Sequence, residues 1–384
     1  MKEFKNLKIV IVSHVFTTGP TQELVEYLKA KVNTLIFIGH PLFHSQRESS
    51  FCEEYERGQK KTHGKSFYIL LPEILKFAKH VIYTLYCIFK SKKKYDLYVG
   101  VDPLNAYAGL MLRRVGLVKK AIMYTVDYIP KRFNNRVLNS IYHYMDSYCV
   151  KECNWVWNLS PKMTEIREKK GLAKKFSKKQ LIVPMGTDLE VKPLPFEKIN
   201  RYEIGFMGHL RKGHGLELLI ESFADVVREM PKAKMVIIGK GGLENYLKHR
   251  CKVLQISSDV NFLGYVEDHK EALKRLSLCV VGLAPYEDNE NTFTRYADPG
   301  KPKAYLSVGL PIIITKVPAI SKKIKKTECG IVIDYDKAQL TKSIIDILTN
   351  DDLTKRLRTN AIKLRSSFSW ERIFKDVLKK TLKI

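Results

Sequence analysis

Between Gly205 and Gly215 the chain reads GFMGHLRKGHG: a strand-like apolar run stops at glycine, and His209, Arg211, Lys212 and His214 follow before a helical pattern begins. Glycines let a backbone approach a ligand closely. A helix N-terminus offers N–H groups and a favourable dipole for an anion. An arginine and a lysine in the same loop add charge-assisted bonds, so the pattern suits a diphosphate. A basic surface turn is the plainer alternative. A second place for chemistry is YTVDYIPKRF, Tyr124 to Phe133, which sets Asp127 just past a strand-like run, with Lys131 and Arg132 close behind. A carboxylate there could take a proton from an acceptor hydroxyl or orient it; capping a turn before Pro130 explains it equally well. A third is TTGPTQEL, Thr17 to Leu24, where Gly19 and Thr21 open a helix and could face a phosphate. Helix capping by Thr18 or Thr21 is the competing reading.

Other apparent motifs carry less. Asp334, Tyr335 and Asp336 spell DxD, but they fall between a strand and a helix, where a capping turn is expected and no metal site is assigned. Gly239, Gly241 and Gly242 are a fragment of a dinucleotide fingerprint without its downstream acid. His14, after the first strand, reads as structural. The seven cysteines contain no CxxC pair, and Cys149 and Cys153 stand without a second pair, so reduced thiols in a cytoplasmic setting are expected.

Positioning these residues requires alternating strands and helices, which the sequence supplies throughout. In the first half, strands are predicted at Lys8–Val12, Thr34–Gly39, Leu97–Val101, Ala121–Thr125, Trp155–Leu159 and Leu181–Val183. Pro184 to Asn200 carries three prolines and reads as a linker. The alternation then restarts at Ile204–Met207, Met235–Gly239, Val260–Leu263 and Leu278–Leu283. A length of 384 residues also favours two domains. The expectation is an α/β protein of two Rossmann-like domains with parallel sheets facing across a cleft: 1–190 on the acceptor side and 201–369 on the donor side.

A formal net charge of +27 calls for an anionic partner. The stretch Phe67 to Phe89 is apolar, but Glu73, Lys76, His80, Thr84 and Cys87 form a polar stripe along it. Those charges argue against a transmembrane span. A helix from near Pro72 into KSKKK fits, either at a lipid interface or as a core helix. The sequence shows no aromatic-interleaved basic motif and no helix-turn-helix signature, so nucleic acid is not the expected partner.

The blocks GFMGHLRKGHGLELLIESF, MVIIGKGGLENYLK, VNFLGYVED, VGLAPY, DPGKPKAYLSVGLPIIIT and FSWERI, in that order, resemble family 4 glycosyltransferases of the GT-B fold. The resemblance implies transfer of a sugar from a nucleotide-diphosphate donor to an acceptor hydroxyl, metal-independent and with retention, with no cofactor beyond the nucleotide-sugar co-substrate. It implies donor-binding roles for Lys212, Lys301 and Tyr305, and for Gly264, Tyr265 and Val266 beside the nucleobase. His209 stands where the family has arginine, and Arg211 is the cation expected to replace it. Tyr296 and Ala304 occupy the places of the family's two glutamates, leaving Asp298 as the nearby carboxylate expected to compensate. The resemblance also implies that the final helix, 370–384, crosses back to the first domain. The basic runs flanking the amphipathic segment, Phe67 to Lys94, lead to the further expectation of an acceptor glycan or polyprenyl-phosphate-linked sugar and of a protein peripheral on the cytoplasmic face of an anionic membrane. The competing class is a catalytically degenerate or non-enzymatic polyanion-binding protein on the same scaffold.

Overall fold

A computed structural model describes residues 4–14, 19–41, 49–66, 73–288 and 293–383. Thr17, Thr18, Phe67 and Pro72, named above, lie outside the described residues. The chain divides into two compact units, Met1–Pro184 with Phe374–Ile384, and Met185–Ile373.

The first unit is built on β1 (Lys8–His14), α1 (Pro20–Lys29), β2 (Thr34–His40), β3 (Phe51–Glu56), β4 (Gln59–Lys65), α2 (Glu73–Ser91), β5 (Tyr95–Val101), α3 (Asp102–Arg114), β6 (Val118–Thr125), α4 (Arg136–Glu152), β7 (Trp155–Asn158), α5 (Pro161–Lys169) and β8 (Gln180–Ile182). Its sheet runs β4-β3-β2-β1-β5-β6-β7-β8. The pairing is parallel from β2 to β8, while β3 and β4 add an antiparallel hairpin at the β2 edge. Sequence reading missed this hairpin for a physical reason: β4 is exposed along its whole length and carries no hydrophobic alternation. Its turn, Arg57-Gly58, has positive φ at both residues, the geometry that suits a two-residue hairpin.

Val10 pairs with Tyr98, Tyr98 with Ala121, and Met123 with Val156, so these side chains share one face of the sheet. On that face α3 packs between α2 and α4, with Cys87 and Ile88 of α2 on one side and Cys149 and Val150 of α4 on the other. The strands are nearly continuous apolar runs, as a parallel sheet buried on both faces demands. One buried network ties the far strands together. Arg167 donates to both oxygens of Asp146 (2.8 and 2.7 Å), to Asn158 Oδ1 (2.8 Å) and to Thr125 Oγ1 (2.9 Å).

The orientation of α2 reverses the usual rule. His80, Thr84 and Cys87 of its polar stripe are buried, while Leu75, Ile82, Tyr86 and Phe89 are each more than half exposed (51, 65, 55 and 54%). His80 and Thr84 turn inward because they have partners there. Thr84 Oγ1 lies 2.9 Å from His40 Nε2, and the His80 ring stacks on His40 at 4.5 Å.

The second unit comprises β9 (Glu203–Met207), α6 (Leu216–Glu229), β10 (Lys234–Ile238), α7 (Glu244–Val253), β11 (Val260–Gly264), α8 (His269–Ser277), β12 (Val281–Ala284), α9 (Gly300–Ser307), β13 (Ile312–Thr315), α10 (Ile320–Lys326), β14 (Gly330–Ile333), α11 (Lys337–Thr349), α12 (Asp351–Arg365) and the start of α13 (Trp370–Leu382). Its sheet is parallel in the order β11-β10-β9-β12-β13-β14. The apolar stripe of α6, including Leu219, Ile220 and Phe223, packs into the core with Ile204 and Phe206 of β9. From Phe374 on, α13 belongs to the first unit, where Thr381 Oγ1 accepts from Trp157 Nε1 at 3.2 Å.

Candidate functional site

The order of the second sheet fixes where a ligand belongs. From β9 the chain moves outward through β10 to β11, then returns to β12 on the other side of β9. This reversal opens a crevice at the carboxyl ends of β9 and β12, the position where doubly wound sheets bind ligands. The Gly208–Gly215 loop leaves β9 at that point.

Two glycines make the loop possible. Gly208 has φ 148°, and a Cβ there would stand 3.0 Å from Lys301 Cδ. Gly215 starts α6 in the left-handed region (φ 69°), where a Cβ would fall 1.6 Å from the Pro285 carbonyl oxygen. No side chain caps α6. His209, Arg211 and Lys212 are exposed, whereas His214 is buried. His214 Nδ1–H donates to the His209 carbonyl at 2.7 Å, leaving Nε2 to accept from Arg211 Nε–H at 3.3 Å. Burial first, and the Lys301 charge second, push the His214 imidazole down to about 3, so it is neutral and serves as an acceptor.

Lys301, at the start of α9, is the decisive side chain. Its stem is partly open, but Nζ is buried without a hydrogen-bond partner, 4.3 Å from the Phe206 ring centre and 4.8 Å from that of Tyr286. Burial, and then the Arg211 guanidinium, hold its amine well below the usual lysine range. Tyr286 Oη is also buried without a partner. An amine with unused donors, next to the Arg211 cation and beneath a glycine loop, is suited to an anion.

The other sequence-predicted residues are distributed as follows. Tyr305 is fully buried; its hydroxyl donates to the Leu283 carbonyl (2.8 Å) and accepts from Met207 N–H (3.1 Å), so it ties β9 to β12. Asp298 is spent internally. Oδ2 accepts from Met185 N–H at 2.8 Å, and Oδ1 pairs with the fully buried Lys303. Its carboxylate therefore holds α9 to the Met185 segment, a role the sequence did not suggest. Ala304 packs in the core around Tyr286 and Leu306, where a carboxylate would be desolvated, and Tyr296 is half-buried. Gly264 ends β11 with φ 70°, Tyr265 is 65% exposed and Val266 packs on the core. Asp336 caps α11 through Gln339 N–H at 2.8 Å, and Asp334 pairs with Lys316 at 2.7 Å. Among the described residues, no group of three or more His, Cys, Asp or Glu is placed to hold a metal.

In the first unit Gly19 precedes α1 in extended conformation, and Thr21 is buried within the first turn rather than capping it. Asp127 is half-buried past the end of β6. Sequence reasoning missed its neighbour Asp102. That residue begins α3 with φ 67°, its Oδ1 is buried without a partner, and its carboxyl is pushed up to about 7. Burial is the main cause; Asp127 adds to it and Arg132 opposes it. The available signal was an acid directly after an apolar strand and before proline, VGVDP. His14 is likewise not isolated: its ring lies 5.7 Å from His80 and 6.1 Å from His40.

Residues 201–350 match the family described as glycosyl transferases group 1. That segment is similar to group 1 glycosyltransferases. The chain is similar to spore coat protein SA of Bacillus subtilis, 25% identical over 182 residues, covering 45% of this chain and 46% of that protein. It is similar also to an uncharacterized glycosyltransferase of Methanocaldococcus jannaschii, 26% identical over 223 residues, covering 49% and 52%. The chain thus spans about half the length of the curated relatives it matches. Among solved structures, HepE of Anabaena in complex with UDP shares the fold with TM-score 0.71 at 13% identity, over 98% of this chain and 100% of that one. The lipopolysaccharide outer core galactosyltransferase WaaB does so with TM-score 0.68 at 13% identity, over 98% and 99%. The architecture is the GT-B fold. Lys212 and the Gly208–Gly215 loop fall inside the matched residues 201–350, as do Lys301 and Tyr286.

Proposed function

We propose that the protein transfers a sugar from a nucleoside-diphosphate donor to an acceptor hydroxyl. The observation that carries this is the buried, unpartnered Lys301 amine beside Arg211 at the switch point of the second sheet. The flexible Lys301 stem lets the amine leave its two aromatic rings and meet the diphosphate, joined by Arg211, Lys212 and the amide groups at the start of α6. The complexes of HepE with UDP, and with UDP and glucose, favour a uridine donor.

In the step proposed, the bond from the sugar anomeric carbon to the diphosphate oxygen breaks as the acceptor oxygen bonds to that carbon. Charge develops on the leaving diphosphate, where the cations stabilise it without a metal. With retention, the acceptor proton passes to the departing phosphate. Asp127 then orients the acceptor, and Asp102, with a carboxyl titrating near neutrality, is the further first-unit group suited to hold a proton. The acceptor proposed is a glycan or polyprenyl-phosphate-linked sugar at the cytoplasmic face of a membrane.

A thermal-shift screen of nucleotide sugars tests the reading. A donor at 100 times its Kd adds about 2.7 kcal/mol of stability by mass action, and Lys212→Ala removes the shift. No shift with any nucleotide or nucleotide sugar would refute the proposal. Because Ala304 and Tyr296 supply no carboxylate to the sugar, a second reading is a degenerate, polyanion-binding relative. It predicts UDP binding with no transfer or donor hydrolysis, which proton NMR of the products distinguishes.

A further inference from the structure

The solvent-facing line of α2 is Leu75, Ala78, Ile82, Tyr86 and Phe89, recurring at spacings of three and four, and every member is exposed. The interior has taken the helix's polar side instead: His80 and Thr84 are engaged with His40, and Cys87 lies in the core. Two helices away in the same layer, α4 repeats the pattern. Val137 (67%), Ile141 (49%) and Tyr144 (73%) stand exposed along one line. Since α3 packs between α2 and α4 on one face of the sheet, the two lines belong to one surface of the first unit. Aliphatic and aromatic side chains in this density need a partner.

Charge identifies the partner. From Glu73 to Lys94 the sequence holds six lysines and one glutamate. Lys90, Lys92 and Lys94 are exposed at the end of α2, and the Lys90 amine sits 5.6 Å from the centre of the Tyr86 ring. Arg136 and Lys151 are exposed at the two ends of α4. No helix among the described residues is long and apolar enough to cross a membrane. An apolar helix face with lysines at its margin instead lies flat at the boundary of headgroups and acyl chains. A second copy of the chain would bring lysines against lysines, which disfavours it as the occupant.

We infer that the outer face of α2 and α4 docks on an anionic lipid bilayer, with Ile82, Tyr86, Phe89, Ile141 and Tyr144 entering the interface and the α2 lysines meeting the headgroups. The inference rests on the membrane-face part of the proposed function but uses no donor-binding residue, so donor binding and membrane docking can fail separately.

The test is co-flotation of the full chain with phosphatidylcholine vesicles, with and without phosphatidylglycerol. Three proteins are compared: wild type, Ile82→Glu/Phe89→Glu, and Lys90→Gln/Lys92→Gln/Lys94→Gln. Wild type is expected to float with the anionic vesicles and to remain behind with phosphatidylcholine alone. The lysine variant should lose about fivefold in partitioning per charge, which is ~1 kcal/mol each at 1.4 kcal/mol per decade. The apolar variant should lose at least about tenfold. Unchanged melting and unchanged UDP binding by the variants show that they fold. The inference is overturned if wild type does not float with anionic vesicles. It is overturned equally if the apolar variant floats as wild type does, since binding is then by charge alone. A dimer in light scattering that Ile82→Glu/Phe89→Glu dissolves, without vesicle binding, would assign the face to a second copy.

Discussion

Replacing Lys301 by methionine separates what its amine does for folding from what it does for a ligand. Methionine keeps the stem and removes the charge. In the free protein the Nζ group has no hydrogen-bond partner, a condition that costs about 1–3 kcal/mol. The Phe206 and Tyr286 rings at 4.3 and 4.8 Å return part of this, at about 0.5–1 kcal/mol each. Lys301→Met should therefore stabilise the free protein by roughly 1 kcal/mol, a rise of about 2–4 °C in Tm for a domain of this size. The pH dependence has a definite sign. The folded-state pKa lies below the unfolded value of 10.5, so in the window between them the unfolded chain holds the proton that the folded chain has released. Wild-type stability then rises with pH across that window, and the advantage of Lys301→Met shrinks toward about pH 10. Ligand binding moves the other way. Losing charge-assisted bonds to a diphosphate, about 1.5–3 kcal/mol, weakens UDP about ten- to a hundredfold. In the pH window where the folded protein has released the Lys301 proton, calorimetry in buffers of different ionisation enthalpy should show wild type taking up a proton with UDP, and the variant taking up none. A variant that is less stable than wild type and binds UDP equally well would refute the reasoning, because Lys301 would then be a packing residue.

Three further outcomes follow from the geometry. Asp102→Asn should remove a pH dependence of stability: the Asp102 carboxyl is raised from 3.8 to about 7, so its contribution is fully present below 3.8 and lost as pH rises to about 7. That loss is on the order of 1–4 kcal/mol, and denaturant melts across that range measure it. Gly215→Ala should destabilise by about 4 kcal/mol or more, because its Cβ would meet the Pro285 carbonyl oxygen at 1.6 Å; a melt within 1 °C of wild type would show the loop to be differently folded. Arg167→Ala, which strands the buried Asp146 carboxylate, should cost about 3–5 kcal/mol, and Asp146→Asn in the same background should restore part of the loss in a double-mutant cycle.

Much of this was legible in the residue pattern because it repeats. The parallel strands announce themselves as apolar runs, and the Gly205–Gly215 block joins glycine, cation and helix start in consecutive positions. Features carried by single residues were not legible. Tyr286 and Asp102 matter through an unpaired buried atom, which depends on what the fold brings beside them. Asp298 looked available to a ligand until Lys303, five positions on, and the Met185 amide were seen to occupy it. The β3–β4 hairpin hid because an exposed strand has no periodicity to read. In α2 the periodicity was plain but its direction was not: a polar stripe points to water unless the interior offers it partners, and here His40, contributed by a strand far back in the sequence, does so.

The central claim is that a nucleoside diphosphate lies over the Gly208–Gly215 loop and Lys301. Amide hydrogen exchange of the full chain with and without saturating UDP tests it most directly. Slowed exchange is predicted at the amides from Gly208 to Glu217 and at Gly300 to Lys301, and Lys301→Met should require a UDP concentration about ten- to a hundredfold higher for the same protection. Protection confined to other segments, or unchanged exchange throughout at a concentration that saturates binding, would contradict it.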